Sequence, residues 1–310
     1  MSDWAGAAER GSMAALRTMA WLHRRLGHRV CQLLLYPIVA YFFVRDTTGR
    51  RASRRWLEQV WSHPEGRRAL GRRPGFFAPF GHFREFAVQI LDRFVLWGGG
   101  LDAFQMDHRG AEHLIDLARE RRGALLLGAH LGSFDMARQL AREKGLALHV
   151  VMFTAHAERI NRFFEQTDPT SRTRVLSLDP SSVRTGFEIR RCLERGELVA
   201  MLADRIPAGG REQPIWLDFL GRRGAFPRSP FQLACLLGAP LLLSVCVRTG
   251  EARYETVIEP IGAPRRLPRA ERDKGAEELA AAWVRRLEQH CLRFPLQWFN
   301  FYDLRSEDAA

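Results

Sequence analysis

From residue 124 to residue 247 the chain alternates short apolar runs with longer amphipathic stretches, and this alternation restricts the fold more than any other feature. Ala124–Leu127, Ala147–Phe153, Arg174–Leu178, Leu198–Leu202 and Pro240–Val247 read as strands. Helical spacing fills Gly132–Lys144, His156–Gln166, Ser181–Arg195 and Pro227–Leu237. Such an order predicts an α/β fold with a mixed, largely parallel sheet flanked by helices. Before it, residues 50 to 97 are helical in pattern, with Pro64, Pro74 and Pro79 as breakers. A last helix is expected over about Ala270–Leu292, followed by an aromatic tail, Gln297 to Tyr302, that reads as packing. With 310 residues and 46% hydrophobic content, the chain can bury a sizeable core.

The N-terminus has a different character. Val30 to Val44 is a run of fifteen nearly uncharged residues, short of the roughly 20 that cross a bilayer as a helix, and Pro37 interrupts it. Arg24, Arg25 and Arg29 precede it; Arg45, Arg50, Arg51, Arg54 and Arg55 follow it. Arginines on both sides lack the asymmetry that orients a spanning helix but suit anionic headgroups. The expectation is an N-terminal membrane-associated helical segment over residues 1–48, lying on the surface, and an α/β domain over 49–310. A buried core helix with solvated basic ends is the alternative. No cleavable signal is recognised.

The formal net charge of +12 points to acidic partners, which nucleic acid, anionic lipid or an acidic carrier protein could each supply. Nucleic-acid motifs are lacking, and the apolar segment favours lipid. Five scattered cysteines form no Cys-x-x-Cys pair, so neither a zinc site nor a disulfide framework is expected, and a reducing compartment fits.

Chemistry concentrates in Ala124-Leu-Leu-Leu-Gly-Ala-His130-Leu-Gly-Ser-Phe-Asp135, an apolar strand running into a histidine and then into a helix start. Reactive groups in α/β sheets gather at the carboxyl ends of strands. His130 and Asp135 can pair if the histidine precedes the helix and the carboxylate reaches back from its first turn, with Gly128 and Gly132 allowing the tight path. A carboxylate beside an imidazole fixes its tautomer and makes it a competent general base. Ser133 invites a hydrolase reading, but Gly-x-Ser-x-Gly is absent.

This segment resembles the glycine-preceded His-x4-Asp of the lysophospholipid acyltransferase superfamily, in the branch of the late acyltransferases of lipid A biosynthesis. The resemblance runs from about Leu16 to the C-terminus. Phe153-Thr-Ala-His-Ala-Glu-Arg159-Ile-Asn161 is similar to the family's segment that supplies an arginine and an asparagine, without its usual Tyr-Arg-Pro wording. Leu193 to Asp204-Arg205 resembles the strand that brings an aspartate beside the site, with arginine in place of the usual glutamine. Phe219-Leu-Gly221 with Phe226-Pro-Arg228-Ser-Pro resembles the turn and helix start that follow.

The resemblance implies an O-acyltransferase with His130 as base and Asp135 as its partner. It also implies an acyl carrier protein or coenzyme A thioester as donor, and substrate contacts from Arg159, Asn161, Asp204, Arg205 and Arg228. A bacterial location on the cytoplasmic face of the inner membrane follows, with no metal or other cofactor. Lipid A precursors, lysophospholipids, amino-acid lipids and polyketide-like lipids all fit as acceptor. For Asp204 a plain strand-end pairing with Arg205 stays open. The competing functions are a lipid esterase or thioesterase that uses the same pair with water, and a non-enzymatic basic protein bound to anionic membrane.

Overall fold

The computed structural model describes residues 12–97, 100–152, 173–177, 184–206, 213–262 and 266–301, with side chains from residue 25 onward. Among the described residues four helices come first: α1 (Ser12–Arg45), α2 (Thr47–Trp61), α3 (Pro64–Leu70) and α4 (Ala78–Trp97). Pro37 lies inside α1 without ending it, and the break falls at Gly27, whose φ of 76° is non-helical. The apolar helix is therefore longer than the sequence suggested: 21 residues, Arg25–Arg45, have the length and composition of a span. One stripe of it, Cys31, Leu35, Val39 and Phe43, is buried in a cluster shared with Val88, Leu91 and Val95 of α4. That four-residue spacing is the inner face of a helix laid along another. The outer face leaves Leu33, Leu34, Ile38, Tyr41, Phe42 and Val44 exposed, joined by Phe76 and Phe77 just before α4. Phe43 touches both Phe76 and Phe77 ring to ring.

Nine strands follow among the described residues: β1 (Gln105–Arg109), β2 (Ala124–Gly128), β3 (Leu148–Met152), β4 (Thr173–Ser177), β5 (Leu198–Leu202), β6 (Ile215–Phe219), β7 (Arg222–Phe226), β8 (Leu241–Gly250) and β9 (Arg253–Gly262). Seven form one sheet in the order β1-β9-β8-β2-β5-β3-β4. Every pairing is parallel except β8 with β9. β6 and β7 form a separate hairpin whose two loop residues, Leu220 and Gly221, have φ of 51° and 72°. Two consecutive positive-φ residues match the twist of a two-residue hairpin.

The five expected strands are β2, β3, β4, β5 and β8. Three others escaped the pattern because they are not apolar runs: β1 and β9 pair at one edge and alternate with polar residues, and β7 begins Arg222-Arg223. β6, Ile-Trp-Leu-Asp-Phe, is mostly apolar and was not read as a strand. Helices α5 (Ala111–Arg119), α6 (Phe134–Glu143), α7 (Arg184–Glu194), α8 (Ser229–Leu237) and α9 (Arg272–Arg293) cover the sheet. α5 was not foreseen, and the helix expected at His156–Gln166 lies outside the described residues. Central strand β2 is buried along its whole length, and Trp283 of α9 is fully buried and donates from Nε1 to the Leu127 carbonyl at 3.1 Å. This anchors one helical layer to the strand that leads into His130.

Candidate active site

Strand order creates the site. β2 and β5 are parallel neighbours paired Ala124↔Leu198 through Gly128↔Leu202, and the same register carried past the strand ends sets His130 beside Asp204. The Ala203 N–H donates to the Gly128 carbonyl at 3.0 Å, so the alignment persists beyond the sheet. His130 Nδ1 lies 3.0 Å from both Asp204 oxygens, and its backbone N–H donates to Oδ2 at 3.1 Å. A carboxylate only accepts, so Nδ1 carries the proton and Nε2 keeps its lone pair. The imidazole is partly open, with a side-chain exposure of 30%, whereas Asp204 is fully buried.

Burial by itself would push the Asp204 carboxyl up. The charge and hydrogen bonds of His130, aided by nearby Arg205, more than offset it and hold the group below its ordinary value. A third donor comes from the tail: Asn300 Nδ2 reaches Oδ2 at 3.0 Å. Arg205 in turn donates to the Asn300 side chain and to the Phe299 carbonyl, while the Phe299 N–H donates to the His130 carbonyl at 2.7 Å. The tail that read as packing is thus woven into the site, and Asn300 is a residue the sequence reading missed. A lone polar residue among aromatics was its only signal.

The pairing expected between His130 and Asp135 is not the one the structure forms. Asp135 sits in the first turn of α6 with its carboxylate turned to α4, where it meets Arg93 at 2.6 Å and accepts from Trp97 Nε1 at 3.1 Å. Arg138, one turn on, is 3.5 Å away. The reach back fails because Gly132 (φ 70°) and Ser133 turn the chain between the two residues; Ser133 caps α6, its Oγ accepting from the Met136 N–H at 3.3 Å. The N–H groups of Gly132 and Ser133 are already donated to the carbonyls of Gln297 and Cys246. These two amides are therefore engaged and not available as oxyanion donors.

Of the other expected contacts, Arg205 is at the site through the tail. Arg228, at the start of α8, pairs with Glu277 at 3.0 Å and Asp273 at 3.8 Å on α9. Its contacts staple two helices together. Arg159 and Asn161 lie outside the described residues.

A cavity of about 320 Å³ opens between α2, the β6–β7 hairpin and the tail, with neither His130 nor Asp204 in its wall. Trp56 and Trp298 stack in its wall, centroids 5.5 Å apart, and Asn300 lines it too. As a metal group, only His149, Cys192 and Glu197 bring ligand atoms within 4.8 Å of one another among the described residues. His149 and Glu197 lie at the amino ends of β3 and β5 and Cys192 in the last turn of α7, away from His130, and Arg195 donates to both Glu197 and Cys192. A guanidinium there competes with any cation.

The model of one family, bacterial lipid A biosynthesis acyltransferase, matches residues 88–304. That stretch spans the sheet, His130, Asp135, Asp204 and Asn300, and leaves α1 to α3 outside it. No curated protein matches the chain.

Proposed function

Because the chain belongs to the bacterial lipid A biosynthesis acyltransferases, we propose that it moves a fatty acyl group from a carrier-protein or coenzyme A thioester to a hydroxyl of a lipid acceptor. In this reading His130 is the general base and Asp204 the carboxylate that orients it. The observation that carries it is the 3.0 Å contact of His130 Nδ1 with Asp204, which leaves Nε2 as the basic nitrogen. Nε2 takes the proton of the acceptor hydroxyl as its oxygen attacks the thioester carbonyl. The imidazolium then formed is stabilised by Asp204, and its proton goes to the departing thiolate. The first-turn amides of Phe134 and Asp135, which a helix leaves without intrahelical partners, are the oxyanion donors in this scheme. Asp135 is a positioning residue: it ties the helix start behind His130 to Arg93 and Trp97.

The membrane face in this reading is the outer side of α1 together with Phe76 and Phe77. α1 packs along α4, which carries Arg84, Glu85, Asp92 and Arg93. A helix bound to so polar a companion suits the interface better than the bilayer centre. A basic rim of Arg25, Arg29, Arg45, Arg72 and Arg73 suits anionic headgroups on the cytoplasmic side of the inner membrane.

The reading is tested by incubating the purified chain with an acyl thioester and a hydroxyl-bearing lipid, and following thiol release and ester product by mass spectrometry. Thiol release that requires the acceptor and yields the acylated lipid is the expected result. Equal release without acceptor would make the enzyme a thioesterase.

A further inference from the structure

We infer that Asn300 is a positioning residue of the dyad: its side-chain amide holds Asp204 in place as an anion and so keeps the shared proton on His130. This rests on the acyl-transfer reading, in which His130 is the base, and deepens it. Asn300 stands in the C-terminal tail, 96 residues after Asp204, and is buried, with 3% of its surface exposed. Two contacts decide which way its amide faces. Arg205 has only N–H groups to offer there, so the atom it meets is the amide oxygen, Oδ1. Asp204 only accepts, so the atom it meets is Nδ2, at 3.0 Å. The same guanidinium also donates to the Phe299 carbonyl at 3.1 Å. An arginine therefore fixes the asparagine, and the asparagine donates to the carboxylate.

A fully buried carboxylate stays charged only where donors surround it. Among the described residues the other donors to Asp204 both belong to His130: its backbone N–H and Nδ1. Asn300 supplies the donor that does not come from the histidine. When Nε2 takes the proton of the acceptor hydroxyl, the Nδ1 proton of the imidazolium lies between two basic atoms. A carboxylate stripped of its Asn300 donor is the stronger base and draws that proton toward itself. The neutral imidazole left behind is a poorer acid toward the departing thiolate, so the second proton transfer suffers. Asn300 also stands between the carboxylate and the Arg205 guanidinium. A direct guanidinium fork would take both carboxylate oxygens, and both are bonded to His130 Nδ1.

The experiment compares kcat, KM and the His130 Nδ1–H proton resonance in the histidine-labelled full chain, as wild type, Asn300→Leu and Asn300→Ser. Leucine keeps the branched shape and removes both polar atoms; serine retains a hydroxyl donor in a smaller side chain. In Asn300→Leu, kcat should fall roughly tenfold or more while KM stays within about twofold of wild type. The Nδ1–H resonance should move downfield as the carboxylate pulls harder on the proton. Asn300→Ser should lie between wild type and Asn300→Leu in both readouts, and it suffices by itself if the leucine protein does not fold. A folded variant with wild-type kcat and an unmoved resonance overturns the proposal. So does a raised KM with kcat kept, since Asn300 lines the cavity and would then be a substrate contact. The resonance is read without turnover, so a chain that shows its shift but transfers no acyl group keeps the clamp on Asp204 and loses the acyl-transfer reading.

Discussion

His130 and Asp204 face each other because their strands are parallel neighbours in a common register, and the histidine's Nδ1 is held 3.0 Å from both carboxylate oxygens. The contact is made before any substrate arrives, so the tautomer with a basic Nε2 is built into the fold.

Asp135 should therefore behave differently from Asp204 when each is changed to asparagine. Asp135→Asn weakens the tie to Arg93 and lowers both thermal stability and turnover, yet leaves the histidine tautomer as it is. Asp204→Asn puts an amide beside Nδ1 that can donate as well as accept, and the tautomer becomes mixed. Nitrogen NMR of histidine-labelled protein reads this directly. A tautomer signal disturbed by Asp135→Asn and untouched by Asp204→Asn would reverse the two roles.

The turn after His130 should tolerate almost nothing at Gly132. A Cβ there would lie 1.9 Å from the Cys246 carbonyl oxygen, at a φ of 70° that L side chains resist. Gly132→Ala should cost roughly 2–3 kcal/mol or more in denaturant unfolding. Ser133→Ala removes only a helix cap, about 1 kcal/mol, and should keep acyl transfer. An inactive but folded Ser133→Ala protein would point to a serine nucleophile.

The membrane face should respond to charge. Deleting residues 1–46 is a poor test, since it would strip the cover from Val88, Leu91 and Val95. Replacing Leu33, Ile38 and Phe42 with aspartate, all on the exposed outer face of α1, leaves its packed stripe in place and should cut co-sedimentation with anionic vesicles by roughly tenfold or more. Unchanged sedimentation would place the membrane contact elsewhere.

Much of this arrangement was legible in the sequence, and the part that was not has a physical reason. The central strands are apolar along their length, so β2, β3, β4, β5 and β8 stood out, whereas β1 and β9 mix in polar residues and β7 opens on two arginines. His130 and Asp204 were both recognisable as strand-end residues. Their partnership was not, because it depends on β5 lying next to β2 in space although β3 and β4 come between them in the chain. Reading Asp135 as the partner assumed that closeness in sequence decides, but the left-handed Gly132 aims α6 toward α4 instead.

Acidification should loosen the tail through His82, which is fully buried between Ser53 and Trp298. The Trp298 carbonyl only accepts, so Nε2 donates to it at 2.8 Å and Nδ1 accepts from the Ser53 hydroxyl at 2.9 Å. Burial pushes this imidazole from its ordinary 6.5 down to about 4, against a smaller upward effect of the bond to Trp298. Between those values the unfolded chain binds a proton that the folded one refuses, so this stabilisation is lost as pH falls from about 6.5 to about 4. Asp92, pushed up to about 7 by burial, acts in the opposite sense over an overlapping range. The clean readout is the stability difference between wild type and His82→Gln, which should shrink as pH falls through that window. A pH-independent difference would contradict it.

The most direct test of the account is a double-mutant cycle on single-turnover acyl transfer with His130→Ala, Asp204→Asn and the two combined. Loss of a positioned base should lower the rate by at least ~10²-fold, and removal of its orienting carboxylate should also be severe. If the pair acts as a unit, the combined variant should be no slower than His130→Ala alone. Near wild-type turnover in Asp204→Asn, or two defects that simply multiply, would contradict it.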